Sequence, residues 1–197
     1  MSQALFPGWR PNKEEAARLA PPATALQDGI RERGLKLRSS FRTPDQWHVT
    51  LCFIGKDAPH LATPSLREQL ARAAAQIPPH AFRIERLAYW SGSGVIVALP
   101  SQCHALQALC DATRDAIRRS GIIPALVTTQ PHLTLAYLEK HLEPQGWLDD
   151  IDCTSTGTFL VDRFELLFNP GGHYDALGSW ALTRAELPRP PEQGSLS

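Results

Sequence analysis

The chain has 197 residues, 43% hydrophobic and 20% charged, with 20 basic and 20 acidic side chains and a formal net charge of zero. That balance is ordinary for one sizeable folded domain and argues against disorder. It excludes the broad basic field of a protein that coats long nucleic acid, but leaves room for recognising a single nucleotide terminus through a few local contacts.

Taken in order, Leu5 to Trp9 reads as a short strand, with Pro7 better suited to an edge or a strand end than to a sheet centre. Asn12 followed by Glu15 is a capping box that opens a helix through Ala16 and Leu19, which Pro21-Pro22 should kink or restart; Leu26 and Ile30 continue its apolar stripe to about Gly34. Phe41 to Asp45 reads as a turn into a strand over Trp47 to Ile54. Thr63-Pro64 starts a second helix with Leu66, Leu70, Ala74 and Ile77 on one face, ended by Pro78-Pro79.

Phe82 to Trp90 and Val95 to Leu99 read as two strands joined by the Gly-Ser turn at 91–94. Ser101 is then placed to cap a third helix carrying Leu106, Leu109, Thr113 and Ile117, with Gly121 as its stop. His132 to Leu138 is a further apolar strand. Phe159 to Phe168 and Trp180 to Leu187 are two more, separated by the turn Asn169-Pro170-Gly171-Gly172. The order predicts an α+β domain with largely antiparallel sheets over residues 1–187, followed by a disordered tail at 188–197.

No apolar run approaches the roughly 18 residues of a membrane span, and the opening MSQALFPGWRPNKEE lacks a basic region ahead of an apolar stretch. Cys52, Cys103, Cys110 and Cys153 show no CxxC spacing and read as reduced small hydrophobes. These features point to a cytoplasmic protein.

One feature repeats. HVTL at 48–51 and HLTL at 132–135 differ at a single position, and each opens a predicted strand. By two-residue alternation His48, Thr50 and Cys52 share one face while Val49, Leu51 and Phe53 share the other; His132, Thr134 and Ala136 likewise oppose Leu133 and Leu135. A lone HxT says little, because threonine is a favoured strand residue. Two HxTL tetrapeptides in one chain carry more weight. Paired imidazoles supply an acid and a base near neutral pH, and hydroxyls beside them suit the tetrahedral oxygens of a phosphate. No Ser-His-Asp set and no metal-ligand spacing accompanies them, so the residues point to acid/base chemistry on a phosphoester with no metal or cofactor.

The paired HxTx motifs at this separation resemble those of the two-histidine (2H) phosphoesterase superfamily, and more closely the bacterial and archaeal RNA 2′,3′-cyclic phosphodiesterases, historically called 2′-5′ RNA ligases. FRTPDQWHVTLCFIG, YWSGSGVIVALP, Pro131 before the second motif and FELLFNPGGHYDALGSWAL are also similar in character to family segments, so the likeness spans roughly Leu5 to Leu187. The resemblance implies a bilobal fold of two mainly antiparallel sheets with helices on their outer faces and the motifs in a central cleft. It implies hydrolysis of RNA 2′,3′-cyclic phosphate ends to 2′-phosphomonoesters, with His48 as proton donor, His132 as proton acceptor, and Thr50 and Thr134 on the phosphate oxygens. The implied partners are RNA termini or small nucleotides with such an end, the implied state a monomer.

The sequence departs from the family pattern in two places. Many members carry an arginine two residues after the second HxTL, where this chain has Tyr137; Arg42, Lys140 or Tyr137 itself are the candidates to contact substrate in its stead. The opening LFPGW is also shorter than the family's apolar run. By strict alternation Tyr137 shares the face of Leu135 and reaches the cleft only if the strand ends or bulges before it. Trp47, on the face of Val49, reads as core, while His60, His80, His104, His141 and His173 read as exposed. Other substrates of the same chemistry are a 2′-5′ oligonucleotide or, in reverse, RNA ends to be ligated. A reading of another class is a non-catalytic RNA-end binding module.

Overall fold

The computed structural model describes residues 3–142 and 146–183. It contains β1 (Ala4–Trp9), α1 (Lys13–Glu32), β2 (Val49–Thr50), β3 (Cys52–Phe53), β4 (Gly55–Lys56), α2 (Pro64–Ala74), β5 (His80–Trp90), β6 (Val95–Pro100), α3 (His104–Arg119), β7 (Leu126–Val127), β8 (Leu133–Tyr137), β9 (Thr158–Val161), β10 (Arg163–Asn169) and β11 (Asp175–Ala181). The long sheet has the order β11-β10-β1-β2-β8-β6-β5-β9, with β4 also on β1, and β3 pairs with β7 in a second sheet. All described pairings are antiparallel. The two HxTL segments therefore meet near the middle of the sheet, at the β2–β8 seam, with β1, β10, β11 and β4 beyond β2 and β6, β5 and β9 beyond β8.

The capping box forms as expected: Asn12 Oδ1 accepts from the Glu15 amide at 3.0 Å, and Glu15 Oε2 accepts from the Asn12 amide at 2.9 Å. α1 runs through Pro21 and Pro22 without the expected restart. Its apolar stripe, Ala16, Leu19, Ala23, Leu26 and Ile30, is buried in the main core, so tertiary packing holds the helix across the two missing amide donors. Thr63 caps α2 through Leu66 as read. The cap of α3 is Cys103, whose Sγ accepts from the Leu106 amide, not Ser101. Ser101 instead exchanges backbone and side-chain contacts with Arg83 on β5. Gly121 adopts φ +83 just beyond α3, consistent with its stop role.

β1 is an interior strand, contrary to the expectation drawn from Pro7. It lies between β10 and β2, with Pro7 paired to Leu166 and its carbonyl accepting from the Leu51 amide at 2.9 Å. Proline cannot return a bond from that position, and the facing strand breaks there into β2 and β3. The predicted strand over Phe159 to Phe168 is divided at Asp162, and the last one begins at Asp175; the reading of that strand beyond Thr183 and of the tail lies outside the described residues. Trp47 is 3% exposed and belongs to the main core with Trp9. All four cysteines are free, and burial pushes the Cys52 thiol up to about 11 and that of Cys110 to about 12. No helix among the described residues is long and apolar enough to cross a membrane.

Candidate active site

The repeat is longer in space than in sequence. Over HVTLCFI, residues 48–54, and HLTLAYL, residues 132–138, the same pattern of burial recurs: positions two, four, five and seven are buried, and positions one, three and six are half-buried. Strict alternation thus fails at the same place in both units, between the leucine and the next residue. In β8 the cause is a bulge: Val97 faces Thr134 and Ile96 faces Ala136, which leaves Leu135 as the extra residue. In the first unit the break falls at Leu51, opposite Pro7. The faces given by strict alternation are corrected as a result at two residues in each unit. Cys52 and Ala136 turn into the core, and Phe53 and Tyr137 leave it.

The bulge gives Tyr137 the condition it needed. Tyr137 pairs with Val95 and Thr134 with Val97, two residues of one strand face, so Tyr137 shares the face of Thr134 and packs beside Val95, Val97, Leu99 and Trp90.

The register of the seam fixes how the two motifs meet. Val49 pairs with Leu133, which puts His48 across from Thr134 and Thr50 across from His132. Facing residues of an antiparallel pair stand about 5 Å apart at Cβ and diagonal ones about 7–8 Å. The two imidazoles thus occupy one diagonal of a small square and the two hydroxyls the other, a span suited to a phosphate between them. No protein hydrogen bond engages either threonine hydroxyl among the described residues, so both stand free for a ligand.

Each imidazole is oriented from below in the same way. His48 Nδ1 lies 2.8 Å from the Gln46 carbonyl and His132 Nδ1 lies 2.9 Å from the Gln130 carbonyl. A carbonyl only accepts, so Nδ1 carries the proton and donates, and the neutral ring presents a bare Nε2. The repeated unit is therefore QxHxTL, with glutamine two residues before each histidine. That signal stood in the sequence, though the tetrapeptide alone obscured it.

Aromatic walls hold the rings. Phe6 and Tyr174 flank His48 at ring separations of 4.9 and 4.8 Å, and Trp90 meets His132 edge-on at 4.4 Å. None of these three neighbours was identified from sequence, because each comes from a strand or loop remote in the chain. Burial among them holds the His48 imidazole down to about 4, with the nearby charges of Arg42, His132 and Arg10 acting in the same direction. Burial also lowers His132 from its ordinary value. Arg10, at the end of β1, pairs with Glu165 at 2.7 Å and was likewise not anticipated.

The remaining candidates separate. Arg42 lies with its guanidinium carbon 5.0 Å from the Tyr137 ring centroid. Lys140 is exposed on the turn after β8, and the charges that bear on His48 do not include it. His60, His104, His141 and His173 are exposed as expected; His80 is half-buried, with Nδ1 on the Pro78 carbonyl at 3.0 Å.

An antiparallel α+β domain with two matched His/Thr units across its central seam defines a two-histidine phosphoesterase fold. The chain belongs to the 2′-5′ RNA ligase superfamily, whose family model matches residues 17–172. Among solved structures it is similar to Escherichia coli LigT in apo form, at 19% identity over 93% of this chain and 99% of that one, TM-score 0.63. The E. coli LigT complexed with 3′-AMP gives 19% identity over 93% and 100%, TM-score 0.65. TT0787 of Thermus thermophilus gives 23% identity over 92% and 98%, TM-score 0.65. No curated protein sequence matches the chain. Membership of this superfamily makes the chain an enzyme of the phosphoesterase and RNA ligase type.

Proposed function

We propose that the chain hydrolyses RNA 2′,3′-cyclic phosphate ends to 2′-phosphomonoesters by acid/base catalysis from its two histidines. The observation that carries this reading is the diagonal square of His48, Thr134, His132 and Thr50, with both Nδ1 atoms tied to backbone and both hydroxyls free. In this reading His132 Nε2 takes a proton from water as its oxygen attacks phosphorus. The bond from phosphorus to the 3′ oxygen breaks, and His48 delivers a proton to that oxygen. Thr50 and Thr134 hold the non-bridging oxygens where charge builds.

Burial keeps both imidazoles neutral in the free protein near pH 7. A phosphodiester anion settling beside them favours their protonated forms, so the proton for the leaving oxygen is stabilised by the substrate itself. That a similar fold, the E. coli LigT, is known complexed with 3′-AMP supports a ligand of nucleotide size. The cytoplasmic location and monomeric state belong to the same proposal.

The test is turnover of a nucleoside 2′,3′-cyclic phosphate in EDTA by the wild-type chain and by His48→Ala and His132→Ala. Opening by wild type and its loss in both variants is the expected result. Full activity in both variants, or complete dependence on a divalent metal, contradicts it. Faster cleavage of a 2′-5′ linked dimer than of the cyclic end would reassign the substrate within the superfamily, and tight binding without turnover would make the chain an RNA-end binding module.

A further inference from the structure

The site lacks a cation on β8 itself, because the residue that follows the second motif on the site face is Tyr137. A neighbouring segment brings one. Residues 37–42 run beside β8: Leu37 bridges Leu138, the Arg38 amide donates to the Tyr137 carbonyl at 2.8 Å, and the Arg42 amide donates to the Leu135 carbonyl at 3.0 Å. Leu135 is the bulged residue, so the irregularity that turns Tyr137 toward the site also anchors the backbone of Arg42.

Two arginines reach the Tyr137 ring, and their circumstances differ. Arg38, 5.8 Å from the centroid, is occupied by the carbonyls of Leu138, Ser93 and Gly94. Arg42, at 5.0 Å, has no hydrogen bond or ion pair on its guanidinium among the described residues. A half-buried guanidinium over a ring face keeps its five donors while its position is restricted. Its charge is felt at both His48 and Tyr174, on the other side of the seam. In the first repeat the residue matching Tyr137 is Phe53, which stacks with Phe6 at 6.5 Å and carries no cation among the described residues. The arrangement is specific to the second unit.

We infer that Arg42, held over Tyr137, is the residue that binds the negative charge of the substrate phosphate, and that Tyr137 is its positioning residue and not a platform for a base. This rests on the functional reading above. It assigns the cation to the loop ahead of the first motif and its support to the strand of the second, so the anion site is completed only when both halves are in place.

The probe is inorganic phosphate, measured by calorimetry and by competition with cyclic-nucleotide turnover, together with NMR titration of the His48 ring. Arg42→Gln should weaken phosphate binding about tenfold or more and raise the titration midpoint of His48, since a charge-assisted contact and a repelling cation are both lost. Its backbone bond to Leu135 does not depend on the side chain, so the variant keeps its anchor. Tyr137→Phe, which preserves the ring, should stay within about twofold of wild type, whereas Tyr137→Leu should lose about fivefold. The double variant Arg42→Gln/Tyr137→Leu should bind no worse than Arg42→Gln alone.

Unchanged phosphate binding in Arg42→Gln overturns the assignment, as does its absence from the wild-type chain. Additive losses in the double variant overturn the positioning role of Tyr137. If the wild-type chain opens no cyclic phosphate, the functional reading fails separately; phosphate binding that still depends on Arg42 and Tyr137 would then support the anion site by itself.

Discussion

His48 stands directly across the β2–β8 seam from Thr134, one residue along from the paired Val49 and Leu133. The relation is reciprocal, with Thr50 across from His132. Each histidine therefore has two hydroxyls as neighbours, one along its own strand and one across the seam, and the two halves of the site are interchangeable in geometry. What distinguishes them is their surroundings: Phe6, Tyr174 and Arg10 lie on the His48 side, and Trp90 on the His132 side.

The square predicts a division of labour that kinetics can resolve. Thr50→Val and Thr134→Val keep the shape of the strand but remove the hydroxyls, and each should lower kcat/KM on a cyclic nucleotide about 10- to 100-fold. The histidine substitutions should cost about 100- to 10,000-fold. Steady-state measurements with inorganic phosphate as a competitor check this, since the threonine variants should also weaken the inhibitor.

Activity should be displaced to the acid side. kcat/KM reports ionisations of the free enzyme, and both imidazoles lie below their ordinary value of 6.5, His48 near 4. One ring must be protonated and the other bare, so the optimum falls between the two midpoints and below pH 6.5. A pH profile of kcat/KM centred below that value is expected, and a flat one from about pH 5 to 8 would remove the two-imidazole mechanism.

Stability should follow the same groups with a definite sign. A histidine whose midpoint is lowered by folding binds protons preferentially in the unfolded chain, so stability is fully present above 6.5 and falls as pH drops toward 4. Allowing for the residual exposure of the ring, His48 contributes on the order of 2 kcal/mol to that fall. Denaturant melts at pH 7 and pH 5 should show a smaller difference for His48→Phe than for wild type.

The start of α1 offers a test remote from the chemistry. Glu15 is 4% exposed and its carboxylate closes the capping box while also accepting from the Leu160 amide on β9 at 2.6 Å. Glu15→Ala should therefore cost about 2–3 kcal/mol, against about 1 kcal/mol for Asn12→Ala, which removes only the cap. Equal losses in denaturant unfolding would show that the bond to β9 adds nothing.

These examples also mark what a single sequence discloses. The capping box at Asn12 was legible because its two partners are three residues apart; the bond from Leu160 to Glu15 was not, since nothing local encodes a contact 145 residues away. The HxTL repeat disclosed the four central side chains. The faces of the following residues were misread because alternation assumes an unbroken ladder, and the breaks arise from partners elsewhere: Pro7 opposite Leu51, and β6 opposite Leu135. Tyr137 shows the consequence most clearly. Its place at the site depends on one extra residue in β8, and its guanidinium partner on a loop nearly a hundred residues earlier.

The most direct measurement is phosphorus NMR of a short RNA ending in a 2′,3′-cyclic phosphate, followed during incubation with the wild-type chain in EDTA. The cyclic resonance should be replaced by that of a 2′-phosphomonoester, and neither His48→Ala nor His132→Ala should make the conversion. A 3′-phosphomonoester product, or a cyclic end that persists with the wild-type chain, would contradict the two-histidine hydrolysis proposed for this site.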